Sequence, residues 1–360
     1  MKPGITVIIL CLLVFTEDSA VGETADEPWV DFTAQQWIEL EDSIDRGLKW
    51  LSAKQVPGGA IGVKSAAAQP AHTALATMAF LSRGHQPGQG PYGRILERSI
   101  DYVLASQDNY GFFVLDPSYK TGGSTYSHAI SGVMLAEVIG MTGQARNERI
   151  SNAIQRGLEA TVKLQQRHAS SPTDRGGWRY IHRSGNSDAD LSVSTWHLLF
   201  LRAAKNANFD VPESLVLDAT GFVRRCFNAK QERFAYLPNR NGSISMTGAG
   251  TLCLFLAGRY DDPYAARGIE TLKNYDFRDL RTGSWPYYTC YHSSQAGSQA
   301  SPEARNLILK SIASFLIGRQ SEDGSWPGKG SSQTTGRIYA TSMAILSLTP
   351  SYQILPIYQQ

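Results

Sequence analysis

The stretch QSEDGSWP, residues 320–327, decides how the chain is organised. Apolar residues recur at helical spacing before it, in residues 307–317, and again after it, in residues 338–348. Two such patterns separated by a short turn are typical of a helical hairpin. The sequence therefore predicts a pair of helices joined by an acidic turn that contains glycine.

The side chains of this turn have predicted structural roles. Gln320 falls where the first helix runs out of internal partners, so its amide can bond to the last carbonyl groups of that helix. Asp323 belongs to the acidic part of the turn, and Gly324 permits a left-handed backbone that a bulkier residue resists. Trp326 offers a flat face that can cover the Gln320 amide. We predict that these residues serve stability rather than function.

Weaker copies of the turn recur along the chain. Their spacing of roughly 40 to 65 residues suits repeats made of helix pairs with variable loops. The copies are QDNYGFF at 107–113, Gln166 with GGWRY at 176–180, QERFAY at 231–236, GSWPYY at 283–288, and Lys54-Gln55 with Gly58-Gly59. Trp178 and Trp285 are the counterparts of Trp326. Together with the turn at 320–327, these copies predict six hairpins.

The predicted helices fall into two sets that differ in polarity. The first helix of each repeat carries charges on one face, whereas the second is apolar nearly all round, as a buried helix is. First helices are predicted at 43–52, 94–106, 150–166 and 216–230, and second helices at 73–81, 130–136, 193–201 and 248–256. Strand signals are scarce, so the class is all-α. Six hairpins that close into two concentric rings form an (α/α)6 toroid, which needs no polar capping repeat.

The domain organisation is simple. A single toroid domain is predicted over residues 43–350, after an N-terminal lead-in of residues 23–42 and before a tail of residues 351–360.

Residues 1–22 are predicted to be a secretory signal. Lys2 precedes an apolar run over residues 5–15, and small residues follow at 20–22 as a cleavage site would require. The run is too short to span a bilayer as a stable helix. We therefore expect an exported protein, periplasmic or extracellular, with no transmembrane segment in the mature chain.

The charge balance argues against polyanionic partners. Removal of the signal takes away Lys2, Glu17 and Asp18, which leaves 33 basic and 30 acidic residues of the 34 and 32 in the full chain. A nearly neutral chain offers no electrostatic case for nucleic acid or for a charged membrane surface.

The cysteines of the mature chain are Cys226, Cys253 and Cys290. Their number is odd and their spacing is unlike that of metal ligands. A disulfide between Cys226 and Cys253 is an alternative in an oxidising compartment, but we predict buried thiols.

The turn motif and the alternating helices resemble the prenyltransferase/squalene-cyclase repeat family, whose members are α/α toroids of the terpenoid cyclase and protein prenyltransferase superfamily. The closest resemblance is to small secreted squalene-cyclase-like proteins of planctomycete bacteria. The stretches that carry it are GWRY at 177–180, SVSTWH at 192–197, YAT at 339–341 and LPIYQ at 355–359. The resemblance specifies the fold far better than the reaction, because one fold hosts many functions.

Squalene cyclases protonate an alkene with an Asp-x-Asp-Asp motif, and the resemblance places SDADL, residues 187–191, in that position. The third acid is replaced by Leu191. Asp188 or Asp190 is therefore either a general acid or an N-terminal cap of the following helix, and the cap is favoured because nothing in the sequence indicates a raised pKa.

Protein prenyltransferases bind zinc through an Asp, a Cys and a His, and residues 289–291 resemble the segment that holds the first two. Tyr288 stands in the place of the Asp and Ala340 in the place of the His. A catalytic zinc normally has three protein ligands, so we expect no metal. No thioester motif is present, and no other cofactor is implied.

Polar and aromatic residues are predicted to gather at the mouths of the second helices, where they would line a central cavity. They are His72, Tyr126, His128, Asp190, Ser192, Tyr291, His292, Tyr339 and Thr341. Three functions stay open. The first is a non-catalytic protein that binds a hydrophobic, isoprenoid-like molecule or an envelope component, or acts as an envelope scaffold. The others are a terpenoid or polyprenyl enzyme with Asp188 or Asp190 as acid, and a glycan hydrolase or lyase. The sequence indicates neither an oligomeric state nor a particular partner.

Overall fold

A computed structural model describes residues 29–62, 69–115, 123–168, 170–181, 189–281, 285–328, 333–352 and 354–358. The predicted signal lies outside the described residues. Twelve α-helices make up most of the described chain. Within the same residues no helix combines the length and the apolar character needed to cross a bilayer.

The helices form an outer and an inner ring that alternate along the chain. The outer helices are α1 (Ala34–Ser52), α3 (Gly93–Ala105), α5 (Gln144–Gln166), α7 (Glu213–Arg225), α9 (Pro263–Lys273) and α11 (Pro302–Ile317). The inner helices are α2 (Gln69–Ser82), α4 (Gly123–Val138), α6 (Leu191–Asn206), α8 (Ile244–Leu256), α10 (Pro286–Ser298) and α12 (Gln333–Leu348). Each inner helix packs on the next, and α12 packs on α2, so the inner ring is closed. The predicted toroid of six hairpins is confirmed.

Burial explains why the two rings differ in sequence. Every residue of α10 is buried, because this helix has neighbours on all sides. In α1 the buried residues recur at helical spacing, and the opposite face is exposed. A helix surrounded by protein is apolar all round, whereas one at the surface needs a polar face.

Several predicted helix boundaries are wrong: α4 and α5 begin at Gly123 and Gln144 rather than at residues 130 and 150. Two further errors have a local cause. Helix α1 begins at Ala34 rather than at residue 43, and Thr33 and Gln36 form a capping box at its start. Helix α7 ends at Arg225 rather than at residue 230. The Asn228 side chain accepts hydrogen bonds from the backbone N–H groups just after it, a local turn that competes with a helix. A two-stranded hairpin follows, with β1 at Phe227–Asn228 and β2 at Arg233–Phe234.

The glutamine of the turn joins neighbouring repeats. Gln320 Nε2 donates to the carbonyl oxygens of Ser43 in α1 and of Gly324, both at 2.8 Å. The prediction that this amide satisfies the end of its own helix is therefore wrong. The same pair of bonds, one to the next outer helix and one to the turn glycine, is made by Gln55, Gln107 and Gln165. In the third repeat the residue is Gln165, not the predicted Gln166.

The turn glycine lies directly against the next outer helix. Gly324 has a φ of 86°, and a Cβ there would lie 2.6 Å from the carbonyl oxygen of Arg46 in α1. At Gly176 the corresponding distance, to the carbonyl oxygen of Asp218 in α7, is 1.9 Å. Any side chain would push the two repeats apart, so only glycine fits.

The tryptophans of the turns differ in their surroundings. Trp326 is 0 % exposed; its indole N–H donates to the Leu316 carbonyl at 2.8 Å, and its ring packs against Gly47 of α1. Trp178 is likewise buried and donates to the Thr161 carbonyl at 2.9 Å. Trp285, the predicted third counterpart, is 71 % exposed, since it caps α10 with a left-handed backbone instead of turning inward.

The C-terminal segment covers the end of the inner ring where the inner helices finish. Leu355 and Ile357 are buried. The Ile357 N–H lies 3.4 Å from Oε2 of Glu137, near the end of α4, and the Asn206 amide at the end of α6 donates to the Pro356 carbonyl at 3.1 Å. The opposite end, where the inner helices begin, is called the mouth below.

Candidate functional site

Asp190 is the carboxylate at the mouth. It is the N-cap of α6, and its Oδ1 accepts the Val193 N–H at 2.8 Å. The backbone N–H of Asp190 donates to the Trp178 carbonyl at 3.1 Å, which ties the cap to the preceding turn. The structure thus shows the cap role that the sequence favoured. Asp188 lies outside the described residues.

Three side chains donate to the Asp190 carboxylate in addition to the backbone amide of Val193. Ser192 Oγ donates to Oδ1 at 2.8 Å, and Tyr236 Oη donates to Oδ2 at 2.9 Å. Arg179 forms an ion pair with Oδ2 and also donates to Tyr236 Oη at 2.7 Å. The Asp190 side chain is 0 % exposed. The guanidinium of Arg179 additionally lies over the Tyr180 ring, 4.5 Å from its centre.

The partners of Asp190 determine what its carboxyl group can do. The pKa of Asp190 is raised above its ordinary value, because burial outweighs the lowering by the Val193 amide, Arg179 and the two hydroxyls. The Val193 amide and Arg179 can only donate, and the Ser192 and Tyr236 hydroxyls donate here as well, which suits a carboxylate. Because the Ser192 hydrogen goes to Asp190, the Tyr126 hydroxyl donates to Ser192 Oγ, at 2.6 Å. The group is therefore arranged as an anion, not as a proton donor.

Tyr288 faces this cluster from the other side of the ring. It lies in the first turn of α10, and α10 stands opposite α4 in the order of the inner helices. Burial raises the pKa of Tyr288 well above its ordinary value, and Tyr126, Tyr339 and Asp190 add to this electrostatically. Tyr288 therefore keeps its proton and remains a hydrogen-bond donor at the mouth.

Aromatic side chains fill the ring below the mouth. Trp196 of α6 and Tyr291 of α10 stack with their ring centres 5.4 Å apart and their planes within 9°. The ring order places α8 between these two helices, so the side chains meet across the interior. His292 packs edge-on against Trp196 at 5.4 Å. The mouth thus has an aromatic floor.

Two residues predicted to line the cavity point toward the outer ring instead. His128 Nε2 lies 3.0 Å from Thr161 Oγ1 of α5, and Thr341 Oγ1 accepts the Trp326 N–H at 3.0 Å. Both belong to contacts between rings, because each faces outward from its helix. His72 is half-buried in the first part of α2, and desolvation lowers its pKa to about 4. No described hydrogen bond connects His72 to the Asp190 cluster.

Five of the remaining predicted residues come together at the mouth or its floor; they are Tyr126, Asp190, Ser192, Tyr291 and His292. Tyr339 is half-buried in α12 and acts electrostatically on Tyr288 and Tyr291. Sequence reasoning missed four residues of the mouth: Arg179, Tyr180, Tyr236 and Tyr288. Tyr180, Tyr236 and Tyr288 each end one of the recognised turn copies, and this position was the available signal for them.

The metal-like features of the sequence have other roles in the structure. Cys290 is a buried free thiol, as are Cys226 and Cys253. Burial raises the pKa of all three thiols above the usual range. Within the described ranges, no three His, Cys, Asp or Glu side chains come together as a metal site would require.

Solved structures with the same architecture span nearly the whole chain. A variant of the type II terpene cyclase MstE from Scytonema, in complex with geranylgeranyl dihydroxybenzoate, is 13% identical with a TM-score of 0.57, over 90% of this chain and 100% of its own. An inactive α-1,6-mannanase, GH76A of Salegentibacter sp. HEL1_6, is 9% identical with a TM-score of 0.63, over 88% and 99%. A possible GH105 member from Salmonella enterica is 12% identical with a TM-score of 0.58, over 89% and 95%.

These similarities define the class of protein, an α/α toroid. No family model and no curated protein matches the sequence. The chain shares its fold with a terpene cyclase and with glycan-active proteins, and at these identities the likeness extends to the fold alone. The narrower resemblance to planctomycete proteins stays a prediction.

Proposed function

We propose that this protein binds a hydrophobic, isoprenoid-like ligand at the mouth of its toroid and that Asp190 performs no chemistry on it. The observation that carries the proposal is the Asp190 carboxylate, whose described partners are all donors. Removing Arg179 or the hydroxyls would leave a buried charge without compensation. Asp190 is thus a structural anion that fixes the surrounding side chains.

The side chains fixed in this way are largely aromatic. Arg179 lies over the rings of Tyr180 and Tyr236, at 4.5 and 5.6 Å. Tyr126 is tied to Asp190 through Ser192. Aromatic groups bury much apolar area per side chain and keep a polar edge, which suits a flexible hydrocarbon. The MstE complex with geranylgeranyl dihydroxybenzoate supports an isoprenoid as the ligand class.

The two enzymatic alternatives demand groups that the described mouth does not combine. A cyclase acid must hold a proton that it can give to an alkene, whereas the partners of Asp190 stabilise its anion. A glycan hydrolase typically uses two carboxyl groups that face one cleft, and the described contacts of Asp190 include no second carboxylate. Binding without chemistry fits these contacts best.

A titration with farnesene, followed by tryptophan fluorescence, tests the proposal. We expect saturable binding, because Trp196 lies in the floor of the mouth. Tyr339→Ala should weaken it at least tenfold, while Tyr110→Ala, at an exposed turn tip, should not. Absence of binding, or cyclised products after incubation with squalene, would contradict the proposal.

We further propose that the ligand is met outside the cytoplasm, as a membrane-derived lipid or as part of an envelope assembly. The support is the predicted signal in residues 1–22. Expression of the full chain and fractionation of cells test this proposal. Recovery of an uncleaved chain in the cytoplasm would oppose it.

A further inference from the structure

Two of the buried polar atoms at the mouth that have no described partner belong to α10. The Tyr288 hydroxyl is one of them, although the residue is only 8 % exposed. His292 Nε2 is the other, and His292 is 0 % exposed. A buried polar atom without a hydrogen bond is costly, and an unexplained one calls for a missing partner.

The two atoms have complementary hydrogen-bonding roles. His292 Nδ1 lies 3.0 Å from the Tyr288 carbonyl oxygen, and because a carbonyl can only accept, Nδ1 carries the hydrogen. Burial lowers the pKa of His292 to about 3, so the ring is neutral and Nε2 is an acceptor. Tyr288 keeps its proton and is a donor. Tyr288 Oη thus needs an acceptor for its hydrogen, and His292 Nε2 needs a donor.

A single hydroxyl group is the simplest partner for both atoms. The rings of Tyr288 and His292 lie against each other on adjacent turns of α10, with their centres 4.0 Å apart. An oxygen bonded to both would lie about 2.8 Å from each polar atom. An alcohol oxygen accepts from one group and donates to the other, which neither an ether, a carbonyl nor a hydrocarbon does.

We infer that the ligand of the mouth is a hydrophobic alcohol, whose hydroxyl accepts from Tyr288 Oη and donates to His292 Nε2. This inference rests on the proposed function, since it assigns the polar end of the same ligand. The apolar part lies among the tyrosine rings, and the hydroxyl lies beside the aromatic floor. Specificity follows because a site that hydrogen-bonds a hydroxyl discriminates against the analogue that lacks it.

The experiment compares farnesol with farnesene, an alcohol and a hydrocarbon of like chain. We expect wild-type protein to bind farnesol about tenfold more tightly, as one satisfied pair of buried groups would give. Tyr288→Phe should abolish this preference by weakening farnesol binding about tenfold. The variant should fold, because it removes a hydroxyl without a described partner. Tyr102→Phe removes another such hydroxyl, on the outer helix α3, and should keep the preference.

The outcomes separate the two proposals. Equal affinity of the wild-type protein for farnesol and farnesene would overturn the alcohol and leave hydrophobic binding standing. A preference for farnesol that survives Tyr288→Phe would overturn the assignment of the hydroxyl to Tyr288. Failure of both probes to bind would remove the proposed function itself.

Discussion

Gln320 and Ser43, 277 positions apart in the sequence, hydrogen-bond to each other twice. The glutamine amide donates to the Ser43 carbonyl at 2.8 Å, and its oxygen accepts the Ser43 hydroxyl at 2.9 Å. Equivalent glutamines in three other repeats bond in the same way to the outer helix that follows. The last repeat is thus fastened to the first as internal repeats are fastened to each other.

Gln320→Ala should lower the free energy of unfolding by about 1 to 2 kcal/mol, because it leaves hydrogen-bonding groups of the first helix without a partner. Denaturant melts measure the change. Gln35→Ala, at an exposed site on the same outer helix, is the control and should change little. Equal effects of the two substitutions would contradict this role of Gln320.

Trp326→Ala should cost roughly 3 to 5 kcal/mol, because it empties a fully buried indole site between repeats. Trp285→Ala should stay within about 0.5 kcal/mol, since Trp285 is 71 % exposed. Melts of the two variants under the same conditions make the comparison. A large loss of stability in Trp285→Ala would show that the turn at residues 283–288 has a structural role despite the exposure of Trp285.

Asp190→Asn should cost about 3 kcal/mol, more than the loss of a helix cap, because the Arg179 guanidinium loses its counter-charge in a largely buried place. The cap role alone predicted less than about 1 kcal/mol. Ser243→Ala removes an uncharged cap, on α8, and is the matched control at about 1 kcal/mol. If both variants lose the same stability, the ion pair contributes nothing beyond the cap.

The protein should lose stability as the pH falls below about 6.5. Burial lowers the pKa of His72 to about 4, and those of His128 and His292 to about 3, so the folded state keeps them neutral while the unfolded chain takes up protons. Each contributes a slope of about 1 kcal/mol per pH unit between its two pKa values. Urea melts at pH 7 and pH 5 measure the sum. Unchanged stability would mean that these rings are solvated.

The contribution of Glu137 to stability has the opposite dependence on pH. Burial raises its pKa to about 8 from 4.5, so the folded state holds a proton that the unfolded chain has released. The free energy of unfolding therefore falls by about 1 kcal/mol per unit as the pH rises from about 4.5 to 8. Glu137→Gln should remove this fall and be more stable than wild type at pH 8. Glu148→Gln, at an exposed site, should follow wild type; a parallel curve for Glu137→Gln would contradict the assignment.

The fold was predictable because its signals are local and repeated. The turn at residues 320–327 and its copies marked the hairpins, and the contrast in polarity separated the rings. The end of α7 was missed because the Asn228 turn competes with a helix only through side-chain hydrogen bonds. The choice of Gln166 over Gln165 failed because adjacent glutamines look alike in a pattern.

The site was less predictable for a physical reason. Inner helices are apolar all round, so periodicity does not tell inward from outward positions. Tyr126 and His128 therefore carried equal weight, although Tyr126 belongs to the mouth and His128 to the contact between rings. Arg179 reaches Asp190 from a loop, and the position of a loop side chain depends on the whole tertiary structure.

The fastening of Gln320 to Ser43 also bears on how the chain reaches its native state. In such a ring the first helix packs against the last repeat, which is synthesised only after the other repeats. Contacts of such long sequence separation delay folding, since the intervening loop must be ordered before they form. The exposed apolar faces of early repeats must meanwhile stay apart from other chains. A toroid with one seam therefore depends on an intact C-terminal repeat to complete its folding, and truncation there would leave both edges of the ring open.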